Sequence, residues 1–179
     1  MVSKFVSVIV PCLNEERHIA ECLDSIVGND YPKDKLEILV VDGGSKDKTR
    51  EIVERFKLQA SGFKIDLLDN PKVITPAAMN VGIKNSKGDI IIKMDAHSLY
   101  DKQYISKCVA HLEESGADNV GGILQSVPAE HEFMARAIAI CLSHVFGTGG
   151  SYFRTGAAEP MEVDTVAFGC YRREVFDKI

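Results

Sequence analysis

Asp95-Ala96-His97 places a carboxylate and an imidazole two residues apart, a spacing at which an extended backbone turns both side chains to the same side. Together they suit a divalent ion that bridges to a diphosphate. Mixed carboxylate and imidazole ligation tolerates Mn(II) better than Mg(II), and either ion can complete its shell with phosphate oxygens and water. The competing reading of Asp95 is a helix cap, worth about 1 kcal/mol, although Ser98 and Asp101 could fill that role. Lys93 interrupts the run Ile90-Ile91-Ile92 and shares a strand face with Asp95. It could neutralise Asp95 or Asp42, or snorkel to the sheet edge.

Two further polar clusters fall where a strand gives way to the next segment: Pro11-Cys12-Leu13-Asn14-Glu15 and Asp42-Gly43-Gly44-Ser45. Carboxylates facing one crevice cost desolvation unless they meet a cation or donors, so the set points to a cation bound together with a phosphate ligand. The Asp42 turn could also receive a nucleoside, its glycines allowing close backbone approach while the carboxylate accepts from ribose hydroxyls or base nitrogens. Glycine-containing turns between strand and helix also arise for purely conformational reasons, and this one is neither a Walker loop nor a dinucleotide fingerprint. His131-Glu132 lacks a second histidine four residues after the first, which removes the zinc-protease reading. Cys12 and Cys170 have no evident histidine partner and make poor candidates for a thiol nucleophile.

The elements that must carry these residues alternate. Phe5 to Val10 reads as a buried strand ending at Pro11. A helix capped by Asn14 should follow, with Ile19, Cys22, Leu23 and Ile26 on its apolar face. Strands are expected at Leu36 to Val41, Lys64 to Leu68 and Asp89 to Met94. Helices are expected at Asp47 to about Leu58, at Pro76 to Asn85, and around Ile105 to Leu112, closed by Gly116. Such alternation implies parallel β-α-β units with helices on both faces of a twisted sheet, which binds ligands outside the carboxyl ends of its strands. The last third predicts a strand at Val120 to Val127, a helix at Glu132 to Val145, a Gly-rich loop at Phe146 to Pro160, a strand at Met161 to Gly169 and a helix at Arg172 to Ile179.

The bulk composition agrees with one globular domain of 179 residues, 45% hydrophobic and 26% charged. A net charge of -5 argues against nucleic acid or an anionic membrane as an electrostatic partner. The five cysteines are scattered without C-x-x-C spacing, as expected of reduced, buried thiols in a cytoplasmic protein. No apolar run reaches membrane-spanning length, and no signal peptide is read at the N-terminus.

In combination, Val6 through Glu15, Val40-Val41-Asp42-Gly43-Gly44-Ser45-Lys46-Asp47-Lys48-Thr49, and Gly88-Asp89 through Asp95-Ala96-His97 resemble family 2 glycosyltransferases. With Val163-Asp164-Thr165-Val166-Ala167-Phe168-Gly169, the chain is most similar to the succinoglycan-type glucosyltransferases. The resemblance covers essentially the whole chain. It implies the GT-A fold, with residues 1–116 as the nucleotide-sugar half and 117–179 as the start of the acceptor-side half of one domain. It also implies inverting transfer from a nucleotide diphosphate sugar, expected to be a UDP-sugar, to a saccharide or lipid-linked acceptor in polysaccharide or glycoconjugate synthesis. Pro11, Asn14 and Glu15 would line the nucleotide pocket, Asp42 would face the nucleoside, and Asn80 would sit on a helix near the sugar diphosphate. Asp95 and His97 would occupy the family's Asp-x-Asp positions and hold Mn(II) or Mg(II), His97 lowering the site's negative charge by one. Gly43 stands where many members carry a second aspartate.

The resembled family keeps its catalytic base in a Glu-Asp motif beyond the segment matching Gly169 to Phe176. The chain is therefore expected to be a truncated piece, with Asp164 as the fallback base. Membrane association, at the inner face, would come through residues outside this chain. A non-catalytic nucleotide- or partner-binding module is the alternative. A nucleotidyltransferase ranks lower, because it would need a basic Gly-rich loop where Pro11 to Glu15 is acidic.

Overall fold

A computed structural model describes residues 4–128 and 133–178. Among these residues six strands form one sheet in the order β3-β2-β1-β4-β6-β5. The strands β1 (Val6–Cys12), β2 (Leu36–Asp42), β3 (Lys64–Asp69) and β4 (Ile90–Lys93) pair in parallel. Between them lie α1 (Ile19–Val27), α2 (Thr49–Gln59) and α3 (Thr75–Asn85), with α4 (Tyr104–Ser115) following β4. The expected helices on both faces are present. The even-numbered residues Val6, Val8 and Val10 of β1 pack in one apolar cluster with Leu23 of α1, Val53 of α2 and Leu112 of α4. Ile9 packs in the other, with Leu39, Val41, Ile91 and Ala78 of α3. This period-2 division is what a strand buried on both sides must show. α3 comes so close to β1 that a Cβ on Gly82 would lie 2.5 Å from Cγ2 of Ile9.

Several expected boundaries move. Asn14 does not cap α1: its φ is 55°, a left-handed turn residue, and the helix begins five residues later at Ile19. β1 continues through Pro11 to Cys12, because β2 runs alongside to Asp42 and the pairing carries the strand on. The predicted strand at Met161 to Gly169 is absent, and its apolar residues Met161 and Val163 are exposed. Pairing is instead found at β6 (Cys170–Arg172), antiparallel to Ile90–Ile92, and the predicted strand at Val120 to Val127 shrinks to β5 (Asn119–Val120) against β6. The predicted terminal helix is β6 followed by a 3-10 turn at Arg173–Lys178.

Residues 121–167 make a separate compact unit containing α5 (Phe133–Leu142), α6 (Val145–Thr148) and α7 (Tyr152–Thr155). The expected Gly-rich loop thus contains two short helices. Glu132, where the predicted helix starts, lies outside the described residues with His131, as do residues 1–3 and 179. Within this unit Phe153 accepts the Leu124 N–H at 2.6 Å, and Arg154 reaches the Ser126 hydroxyl at 3.3 Å. α5 has no buried residue. Among the described residues no helix is long and apolar enough to cross a membrane.

Candidate functional site

The sheet opens between β1 and β4. The two strands pair from Val6↔Ile90 to Ile9↔Lys93, the Ile9 carbonyl still accepts the Met94 N–H at 2.9 Å, and beyond this, among the described residues, β1 is paired only with β2. Alternate residues of a strand aim their backbone groups to the same side, so Pro11 points its nitrogen to the same opening as Ile9. The residue that lacks an N–H therefore sits where no ladder partner requires one. The connections also reverse here, strand order running outwards through β2 and β3 on one side and from β4 on the other. Such switch points are where α/β sheets form ligand crevices. A cleft of about 380 Å³ occupies this place, and Pro11, Glu15, Lys93, Asp95 and His97 all line it.

Asp95 is held by its backbone. Its N–H donates to the Tyr100 hydroxyl at 2.6 Å, while its carbonyl accepts from Ser98 N–H at 3.2 Å and from the Cys22 thiol at 3.4 Å. The Ser98 bond closes a turn across Asp95-Ala96-His97, so the extended backbone expected there is replaced by a turn. Tyr100, buried at 8% exposure, is a positioning residue for which the sequence offered no signal. The Asp95 carboxylate bonds the Lys93 ammonium through Oδ1 at 2.5 Å. Of the two partners weighed for Lys93, the structure selects Asp95; the ammonium also lies 5.7 Å from the centre of the Phe168 ring. His97 reaches across the cleft mouth, its Nδ1 2.9 Å from Oε1 of Glu15.

Asp42 is buried at the end of β2, with its oxygens engaged by its own turn. Oδ2 accepts from Gly44 N–H at 3.1 Å, Ser45 N–H at 3.1 Å and Nη1 of Arg50 at 2.8 Å, and Oδ1 accepts from the Ser45 hydroxyl at 2.5 Å. Gly44, with φ 87°, supplies the left-handed conformation this turn needs. Burial opposes ionisation of Asp42, but the Ser45 and Arg50 hydrogen bonds outweigh it and hold the carboxyl below the usual carboxylate range. Arg50, the second residue of α2, also bonds Asp69 at 2.8 Å. Asp42 is thus committed within the protein rather than presented to the cleft, and it is not among the lining residues. Burial first and the Asp42 carboxylate second push the Cys12 thiol far up, which removes a thiolate nucleophile.

Asn14 is similarly committed. Its N–H donates to the Ser45 hydroxyl and its side-chain oxygen accepts Lys46 N–H, both at 2.8 Å. Glu15 N–H to Thr49 Oγ1 at 2.7 Å and Lys48 N–H to Glu16 Oε2 at 3.0 Å continue this lacing of the two strand-end loops. Asn14 therefore shapes the cleft's rim without lining it.

The loop after β3 was not singled out in the sequence, yet its Asn70 and Val73 line the cleft, together with Thr75 and Ala78 from the first turn of α3. Asn70 is buried, donating from its amide to the Ile74 carbonyl at 3.0 Å. Val73 has φ 65°, an outlier for a β-branched residue, and is half-exposed at the cleft. Asn80 is not brought to the cleft. It lies about 200° around the helix from Ala78, on the exposed side of α3. Asp164 is exposed at a bend in the unit of residues 121–167, where the sequence predicts the strand Met161 to Gly169.

Among the described residues no three His, Cys, Asp or Glu side chains gather as a complete metal set. Asp95 and His97 fit a cation that brings its own anionic ligand, with phosphate oxygens and water filling the other positions. Among the described residues, Oδ2 of Asp95 has no hydrogen-bond donor.

The sequence model of glycosyl transferase family 2 matches residues 7–179. A dolichyl N-acetyl-alpha-D-glucosaminyl phosphate 3-beta-D-2,3-diacetamido-2,3-dideoxy-beta-D-glucuronosyltransferase of Methanococcus voltae is 33% identical over 172 residues, covering 93% of this chain and 52% of that protein. Succinoglycan biosynthesis protein ExoA of Rhizobium meliloti (strain 1021) is 34% identical over 152 residues, 84% of this chain and 44% of that protein. The structure of mannosyltransferase PcManGT from Pyrobaculum calidifontis, in complex with GDP-Man and Mn2+, matches with a TM-score of 0.74 at 24% identity, over 99% of this chain and 47% of that one. That likeness shows the GT-A fold. The chain spans about half the length of the relatives it matches. With the family's pattern running from the first strand to the final residue, the chain belongs to glycosyl transferase family 2.

Proposed function

We propose that this chain is the donor-binding part of a metal-dependent glycosyltransferase that moves a sugar from a nucleotide diphosphate sugar, UDP-linked by expectation, to an acceptor hydroxyl with inversion. The observation that carries this reading is the convergence of Lys93, Asp95, His97 and Glu15 on the cleft where β1 and β4 part. Asp95 and His97 would hold Mn(II) or Mg(II). When bound, the ion supplies positive charge to the diphosphate leaving group. Lys93 supplies a second positive charge beside Asp95, in the place where the leaving group gains negative charge. Pro11, Asn70 and the backbone at Val73 would wall the nucleoside side, with Asp42 holding the turn behind it rather than reading the base.

The base that takes the acceptor's proton is not assigned to the cleft. Its carboxylates Glu15 and Asp95 are engaged with His97 and Lys93, and Asp164 is the remaining candidate named from the sequence. A saccharide or lipid-linked acceptor agrees with the relatives' names, one of which specifies a dolichyl glucosaminyl phosphate. Work at the cytoplasmic face of a membrane, attached through residues outside this chain, is consistent with that acceptor class.

Titration of UDP and of GDP with and without Mn(II) tests this reading. Binding should require the metal, and Asp95→Ala should weaken it by at least about tenfold, the loss that disturbing even an outer partner of a metal ligand produces. Lys107→Ala, on the exposed side of α4, should leave it unchanged. Metal-independent binding that ignores Asp95→Ala would overturn the proposal, and tight binding without transfer or hydrolysis would favour a non-catalytic module.

A further inference from the structure

The Glu15–His97 contact joins residues 82 positions apart, one at the entry to α1 and one in the turn after β4. An ionised carboxylate only accepts hydrogen bonds, so Nδ1 of His97 must carry the proton that Glu15 receives across 2.9 Å. In a neutral imidazole this leaves the lone pair on Nε2. Glu15 is itself fixed. Thr49 Oγ1 accepts its N–H at 2.7 Å, its carbonyl accepts from His18 at 3.0 Å and Ile19 at 2.9 Å, and its side chain is 19% exposed. His97 is 59% exposed and rests on the more buried partner.

Resting on the metal reading above, we infer that Glu15 is a positioning residue which locks His97 in the Nδ1–H tautomer and so presents Nε2 as the cation's nitrogen ligand. This adds a role to the sequence expectation, in which Glu15 lines the nucleotide pocket. Histidines that bind metals are commonly oriented in this way by a carboxylate on the other ring nitrogen. The same device compensates for a weakness of this site. An imidazole in place of a second carboxylate brings one negative charge fewer, and a carboxylate hydrogen-bonded behind the ring strengthens it as a ligand by fixing its orientation.

Two measurements on the protein test it. The first needs no metal. In 15N-resolved NMR of the histidine rings above pH 8, His97 should show Nδ1 protonated and Nε2 bare in the wild type. Glu15→Gln, whose amide oxygen still accepts, should keep that pattern, and Glu15→Ala should release it to the Nε2–H form that free imidazole side chains prefer. The second is Mn(II) binding in the presence of saturating UDP, read by electron paramagnetic resonance. Glu15→Ala should weaken it by roughly 10- to 100-fold, with most of the affinity restored in Glu15→Gln. An unchanged tautomer in Glu15→Ala, or unchanged Mn(II) affinity in that variant, overturns the inference. Wild-type Mn(II) affinity in His97→Ala shows instead that the metal reading has failed, and the inference falls with it.

Discussion

Replacing Asp42 by Asn should destabilise the fold far more than removing its cationic partner Arg50. Three donors, Gly44 N–H, Ser45 N–H and Arg50 Nη1, converge on Oδ2, and the Ser45 hydroxyl meets Oδ1. An asparagine keeps one acceptor. Its amide settles best with NH2 at the Oδ1 position, where the Ser45 hydroxyl can turn round, but every retained bond then loses its charge assistance. Bonds to a charged group contribute about 1.5–3 kcal/mol against about 1 for neutral ones. Spread over these donors, Asp42→Asn should cost about 2–4 kcal/mol. Arg50→Met keeps the aliphatic stem and removes the bonds to Asp42 and to the exposed Asp69, whose shared donor side chain is 41% exposed. Solvent screening limits that loss to about 1 kcal/mol, and the turn donors continue to satisfy Asp42.

Urea unfolding followed by far-UV circular dichroism separates the two. With a slope of about 2 kcal/mol/M, Asp42→Asn should lower the midpoint by roughly 1–2 M and Arg50→Met by about 0.5 M. The pH dependence supplies a sign check. Because the folded carboxyl titrates below its unfolded value, its contribution is fully present above about pH 4. It is lost as pH falls through the depressed folded value. Asp42→Asn should therefore flatten the acid limb of stability. Equal losses in the two variants, or an unaltered acid limb in Asp42→Asn, would refute the argument that the turn's own donors hold this carboxylate.

Val73→Gly should raise stability by up to about 1 kcal/mol in the same assay, since it relieves a β-branched residue at φ 65°; a loss would mean that packing of the Val73 side chain outweighs its strain. Gly82→Ala should cost about 1–3 kcal/mol by overpacking against Ile9, and Ile9→Ala, which removes all three of the crowded carbons, should cost less in that background than in the wild type. In the native protein at pH 8 a thiol reagent should modify Cys141, which is exposed, and spare the other four cysteines, which are buried. Burial also pushes the Cys22 thiol up to about 12 and that of Cys108 to about 11. Rapid modification of more than one thiol without denaturant would contradict the packing described.

How much was legible in the sequence varied with how local the signal was. The runs Val6 to Val10, Leu36 to Val41 and Ile90 to Ile92 declare themselves because strands buried on both faces are nearly continuous in apolar residues, with Ser7 and Glu37 the two exceptions in these runs. The helices carrying Leu23, Val53 and Leu112 show their faces through spacing alone. Residues 161–178 do not, because β6 is defined by its pairing to Ile90–Ile92 rather than by its own three residues. The candidate site divides in the same way. Asp95 and Lys93 were readable from their place at a strand end. Tyr100, Arg50 and Asn70 were not, since each acts on a partner that the fold brings from elsewhere in the chain or from a turn with no composition of its own.

By itself the sequence determined the alternating α/β architecture, the family, and which strand ends carry carboxylates. Periodicity and strand-end position are properties of short segments, and they survive in any fold that buries those segments. Only the tertiary structure decided what each polar residue is committed to: Asp42 to its own turn and Arg50, Asn14 to Lys46, Asn80 to the exposed side of α3, and Lys93 to Asp95. A buried or half-buried polar group is satisfied by whichever donor or acceptor the folded chain brings within about 3 Å. For Glu15 and His97 that partner lies 82 residues away.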